Sequence, residues 1–213
     1  MHRIELFRCQ PQPWKNGGGV TRELITWPPP RDAQASAHDW SVRVSVADIT
    51  QNGPFSSFPG IDRCFAVLEG NGVELDLAGG PHRQRAGDPP LAFAGEHPIG
   101  CRLLQGPTRD LNLMGRRAHG RITLQRARPG SVFDVAALWR GLFTFEAAEA
   151  QFDHSTPPQQ LGAGTLCWRD ASGPGTLAVP SDARMNAPAL APWRLISGHH
   201  AFWLALLPPE SQS

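Results

Sequence analysis

The chain has no tyrosine among its 213 residues and a single lysine, Lys15, against nineteen arginines. Without tyrosine, no reaction here can use a phenol as acid, base or nucleophile. Long apolar runs are missing too. Nothing approaches the roughly 18 consecutive apolar residues of a spanning helix, so no membrane partner is expected. The opening "MHRIELFRCQ" has charge but no apolar core of signal-peptide length, and a cytoplasmic location is the expectation. Positive charge is not clustered: the formal net charge is +1 and the arginines are scattered, which argues against a nucleic-acid partner. Cys9, Cys64, Cys101 and Cys167 lie far apart with no C-x-x-C pair. In an unexported chain they read as reduced thiols, mostly buried.

The motifs of familiar chemistries are absent as well. A phosphate-binding Walker loop needs its lysine after the glycines, whereas here Lys15 precedes Gly17, Gly18 and Gly19. No G-x-G-x-x-G opens a helix, so no dinucleotide cofactor is expected. The eight histidines form neither an H-x-H nor an H-E-x-x-H pair, and no metal site is assigned. No G-x-S-x-G elbow exists. Cys64 sits beside Arg63, which could lower its pKa, but it also starts an apolar strand. No residue is assigned as catalytic.

What the chain does have is 22 glycines and 21 prolines, spread between short apolar runs. Many short strands joined by turns give this composition. In "WSVRVSVADI", Trp40, Val42, Val44 and Val46 share one face, and Ser41, Arg43, Ser45 and Ala47 the other. "FAVLEGNGVELDL" reads as a hairpin turning at Gly70-Asn71-Gly72. Further strands are expected at Leu91–Phe93, Cys101–Leu104 and "DLNLM", then in "RITLQRA", "LFTFEA", "GTLCWRD", "GTLAVP" and "FWLALLP". In "SVFDVAALWRGLF", Val132, Val135, Ala136, Trp139 and Phe143 recur at helical spacing, which suggests a short helix. The pattern as a whole predicts an all-β protein of two consecutive antiparallel units, residues 1–118 and 119–213.

Two features invite a functional reading. Lys15 precedes three glycines that serve either as an entry turn to the strand Val20–Trp27 or as an anion-binding nest. Polar residues also occur inside strands: Arg43 between Ser41 and Ser45, and Asp110 and Asn112 on one face. On an outer face these would be ordinary alternation. In a lumen they would have to pair or hold a ligand.

In order, "PWKNGGGVTREL", "GPFSSFPGIDRCFAVLEGNG", "FAGE" and "RDLNLMGRR" resemble the HutD/Ves family, which accompanies histidine utilisation in bacteria. The resemblance runs from Pro13 to about Arg117, with a looser likeness beyond. It implies a bicupin, two barrels of cupin type, without the metal set of many cupins. It also implies binding of a small carboxylate from histidine breakdown, urocanate being favoured, in a role that moderates the pathway. The candidate ligand-binding residues are Lys15, Asn16, Thr21, Arg22, Glu23, Arg43, Ser45, Arg63, Glu96, Asp110, Asn112 and Met114. Phe65 and Phe93 would join Met114 as an apolar wall. Relatives usually carry Trp directly before the strand arginine, where this chain has Val42, and that departure touches the expected wall. The alternative is a small-acid isomerase or hydrolase using Glu96 or Asp110 as base. A homodimer closing exposed sheet edges is a further expectation.

Overall fold

The computed structural model describes residues 1–29, 40–171 and 191–209. The first ten strands are β1 (His2–Glu5), β2 (Pro11–Pro13), β3 (Gly19–Trp27), β4 (Val42–Ile49), β5 (Gly53–Pro54), β6 (Ile61–Gly70), β7 (Val73–Leu77), β8 (Gly80–Gln84), β9 (Leu91–Ala94) and β10 (Gly100–Leu103). There follow β11 (Thr108–Arg116), β12 (Arg121–Ala127), β13 (Val132–Phe133), β14 (Trp139–Thr144), β15 (Ala148–Gln151), β16 (Gln159–Leu161), β17 (Thr165–Asp170), β18 (Trp193–Ser197) and β19 (Ala201–Leu207). Strand makes up 57% and helix 3%, so the all-β expectation holds.

The strands form four antiparallel sheets. A six-stranded sheet, β2-β3-β4-β11-β6-β9, and a four-stranded one, β5-β10-β7-β8, build the first barrel. A five-stranded sheet, β1-β17-β14-β19-β12, and another of four, β13-β18-β15-β16, build the second. The chain's first strand thus belongs to the second barrel's sheet, where His2 to Glu5 pair with Trp168 to Thr165.

The two larger sheets lie back to back. Val42, Val44 and Val46 of β4, Cys64 and Ala66 of β6, and Leu111 and Leu113 of β11 meet Ile122, Leu124, Trp139, Phe143, Phe202, Leu204 and Leu206. The valine face is therefore an inter-barrel seam, and β4 is covered on both sides. Each such side chain removed from water contributes about 1.5–3 kcal/mol. The seam also carries a polar tie, since the Trp27 indole N–H donates to Asp170 at 3.1 Å.

Two sequence expectations fail. The run through Gly70-Asn71-Gly72 is a corner, because β6 pairs with β11 and β9 while β7 pairs with β10 and β8. Gly72 sits at φ +92°, and a Cβ there would lie 2.2 Å from the Gln84 carbonyl oxygen, so only glycine turns this corner. The segment read as a helix forms β13 and β14 instead. Trp139 and Phe143 are four apart, a spacing that also places two residues on one strand face, here the seam. "GTLAVP" lies outside the described residues.

Candidate functional site

Alternation decides which polar side chains meet. With the valines of β4 in the seam, Arg43, Ser45 and Ala47 face the first lumen. Their partners in register on β11 are Met114, Asn112 and Asp110. On β6, Arg63, Phe65 and Val67 stand beside those three. Part of this lumen is filled by Ile49, Phe55, Phe65, Val67, Val73, Leu75, Ile99 and Cys101. The rest is a cavity of about 600 Å³, the size of a small-molecule site.

Lys15, Asn16, Thr21, Arg43, Ser45, Arg63, Asp110, Asn112 and Met114 all line that cavity, with Trp14, Phe55 and Phe58 as its aromatic walls. Three of the expected residues do not. Arg22 points to the seam side and pairs with Asp48 at 2.8 Å. Glu23 accepts from Arg43 Nε at 2.7 Å and so orients that arginine. Glu96 is tied outside the cavity to Arg117 at 2.7 Å, which holds its carboxyl down at about 2. It is a surface carboxylate, not a base in waiting. Phe65 packs in the lumen's apolar fill, and Phe93 lies 5.1 Å beneath the Arg63 guanidinium. Neither lines the cavity as expected. Val42 faces the seam, so the departure before Arg43 leaves the cavity wall untouched. Trp40 packs against Ile61, Met114 and Phe58 behind that wall.

At the floor lies a relay of three buried groups. Arg63 Nη2 donates to Asn112 Oδ1 at 2.8 Å, and Asn112 Nδ2 donates to Asp110 Oδ1. An amide suits this place because it presents an acceptor to the cation and a donor to the carboxyl. The Arg63 guanidinium also lies 4.9 Å over the Phe55 ring. Among the described residues the covered atoms Arg63 Nε and Asp110 Oδ2 have no hydrogen-bond partner. Burial pushes the Asp110 carboxyl well above the usual range, with Arg63 opposing and Asp48 reinforcing. Burial lowers Arg63 to about 10, which leaves it charged at neutral pH. The floor therefore sets the edge of a cationic guanidinium beside a carboxyl biased toward its neutral form.

Lys15 stands at the rim in a tight turn, where the Gly17 N–H donates to the Trp14 carbonyl at 3.0 Å. Gly17 has φ +71°, and Gly18 N–H donates to Asn16 Oδ1 at 3.0 Å. A Cβ on Gly19 would meet the Asp48 carbonyl oxygen at 2.4 Å, so the strand entry needs glycine. The glycine run is thus a turn in which the Gly17 and Gly18 N–H groups bond within the protein instead of facing an anion. Among the described residues Lys15 has no ion-pair partner. The exposed Lys15 lines the cavity from this turn.

The aromatic walls Trp14, Phe55 and Phe58 were missed by the sequence reading. Their signal was the spacing of "PFSSF" and the tryptophan beside Lys15, both of which look like turn punctuation. Cys64, Cys101 and Cys167 are pushed up by burial to about 11, 12 and 11, so none is an activated nucleophile. Cys64 and Arg63 point to opposite faces of β6. Among the described residues, no three His, Cys, Asp or Glu side chains group as metal ligands.

Comparison with known proteins agrees with this geometry. The HutD family model matches residues 8–186, so the likeness extends well into the second barrel. The chain is 38% identical over 128 residues to an uncharacterized 21.2 kDa protein in the hutC 3' region of Pseudomonas putida, covering 59% of this chain and 65% of that protein. It thus spans just under two thirds of that relative's length. Against Protein Ves of Cronobacter sakazakii the figures are 36% over 151 residues, 64% and 79%. Among solved structures, HutD from Pseudomonas fluorescens superposes with a TM-score of 0.74 at 25% identity, covering 97% of each chain. A conserved protein of unknown function from Pseudomonas aeruginosa gives 0.76 at 26%, covering 97% and 98%. A Cupin 2 conserved barrel domain protein from Leptotrichia buccalis matches at 0.50 and 11% identity over 97% and 96% of the chains, a likeness of fold alone. The fold is cupin-like, and the chain belongs to the HutD family.

Proposed function

We propose that the first barrel binds a small planar carboxylate of histidine breakdown, with urocanate the favoured candidate, and moderates that pathway by doing so. The observation that carries this is the cavity itself. Lys15, Arg43 and Arg63 surround it, Trp14, Phe55 and Phe58 wall it, and the polar Ser45, Asp110 and Asn112 line its floor. A carboxylate would meet the Arg63 guanidinium and the Lys15 ammonium. Asp110 and Ser45 would meet a ring N–H, and the aromatic walls would sandwich the ring. Two charge-assisted contacts and an enclosed ring support micromolar affinity, about −8 kcal/mol. The position of the P. putida relative beside hutC supports the pathway assignment.

The raised Asp110 pKa favours one competing reading, proton transfer by a small-acid isomerase or hydrolase with Asp110 as the base. Incubation of the pure protein with urocanate and with formylated glutamate, followed by proton NMR, separates the two. Binding without turnover is the expected result, and accumulating product would replace the binding role with an enzymatic one.

A further inference from the structure

The second lumen holds a cation that the described residues leave unbalanced. Arg140 of β14 lies on the lumen face with Leu142 and Thr144, and it has no solvent-exposed surface. Its Nη2 donates to the Ala191 carbonyl at 2.5 Å, and its guanidinium lies 4.5 Å over the Trp193 ring. Among the described residues Nε and Nη1 have no partner, and neither has the Trp193 indole N–H. In register across the neighbouring strands stand Arg169, a second cation, and Ala205, which offers only a methyl group. Among the described residues no carboxylate forms an ion pair with Arg140 or Arg169. Asp134 attracts the Arg140 charge without pairing with it.

A structural role explains this poorly. An apolar side chain of similar volume would fill the lumen at less cost than a desolvated cation facing another cation. Arginine stays protonated, so the charge cannot be shed. The first barrel uses the same device, a buried arginine stacked on a ring with Nε unused. There Asn112 and Asp110 supply acceptors and the cavity is mixed. Here every unused group is a donor, which selects an occupant made of acceptors. Trp193, Trp203, Phe133 and Phe152 crowd the surrounding lumen, so that occupant is small.

We propose that Arg140, Arg169 and the Trp193 indole N–H form a second anion site, separate from the first cavity, for a small oxyanion of carboxylate or phosphate type. The test reads the site directly through the Trp193 indole N–H signal in proton–nitrogen NMR, assigned by its loss in Trp193→Phe. At fixed ionic strength, sodium acetate or sodium phosphate is expected to move this signal saturably, in the parent and equally in Lys15→Met, while sodium chloride leaves it in place. Whichever salt acts at lower concentration identifies the class of anion. The volume-matched Arg140→Met is expected to abolish the movement. A signal that stays still in both salts, or that moves as far in Arg140→Met, overturns the site. The titration of the parent protein decides the matter even where a variant does not fold.

Discussion

The two barrels share an architecture and differ in what fills them. The second is packed with side chains: Phe133 stacks on Trp203 at 5.0 Å and Phe152 meets Trp193 edge-on at 4.9 Å. The first keeps about 600 Å³ open and lines it with charge. Both turn the back of their larger sheet into one apolar seam. The difference teaches that a cupin-like barrel does not need a filled lumen, provided another apolar face carries its stability. Positions 43, 45, 110 and 112 can carry polar side chains toward the cavity because positions 42, 44, 111 and 113 hold the sheet in place.

This contrast can be broken at several points. Phe143→Ala in the seam should cost about 3–5 kcal/mol in chemical denaturation, since it empties a fully buried site shared by both barrels. Two separate unfolding transitions, with the first barrel unaffected, would show that the seam does not unite them. Asn112→Leu strikes the lumen instead. It leaves the Arg63 cation and the Asp110 carboxyl without their shared partner, and a loss of about 2–4 kcal/mol is expected.

Asp110→Asn should act mainly through pH. Folding raises the Asp110 pKa, so the folded protein keeps a proton that the unfolded chain has already released. Its contribution is complete below the ordinary carboxylate range and is lost as pH rises through the raised value. Titrating melting temperature against pH should show this decline in the parent and a flatter profile in Asp110→Asn. An ionised Asp110 would also repel a bound carboxylate, so affinity should weaken over the same pH window. Arg63, Arg43 and Lys15 oppose that repulsion, and Asp48 adds to it.

Much of this was readable from the chain. Alternation in β4 and β11 identified the polar rows and the apolar rows correctly, because a period of two is all that strand faces require. It could not say what lay opposite either row. The valine face looks like an ordinary barrel core, and only packing against β12, β14 and β19, far along the sequence, turns it into a seam. The misread hairpin at Gly70–Gly72 has the same origin, since a tight turn and a corner between sheets use the same glycines. Arg22, Glu23 and Glu96 carry charge within the family segments, yet each is consumed by a local ion pair that no spacing rule reveals. Arg140 went unnoticed because it sits in an apolar run misread as helical.

The cations at positions 15, 43 and 63 are proposed to serve a bound carboxylate. Calorimetric titration of urocanate into the parent and into Lys15→Arg tests it most directly. The exposed Lys15 contributes little to the fold, so both proteins should melt at nearly the same temperature. The parent should bind in the micromolar range, and Lys15→Arg more weakly, because a planar fork replaces a compact ammonium held in a fixed turn. Equal affinity in the two proteins, or no heat of binding from the parent at millimolar urocanate, would contradict the claim.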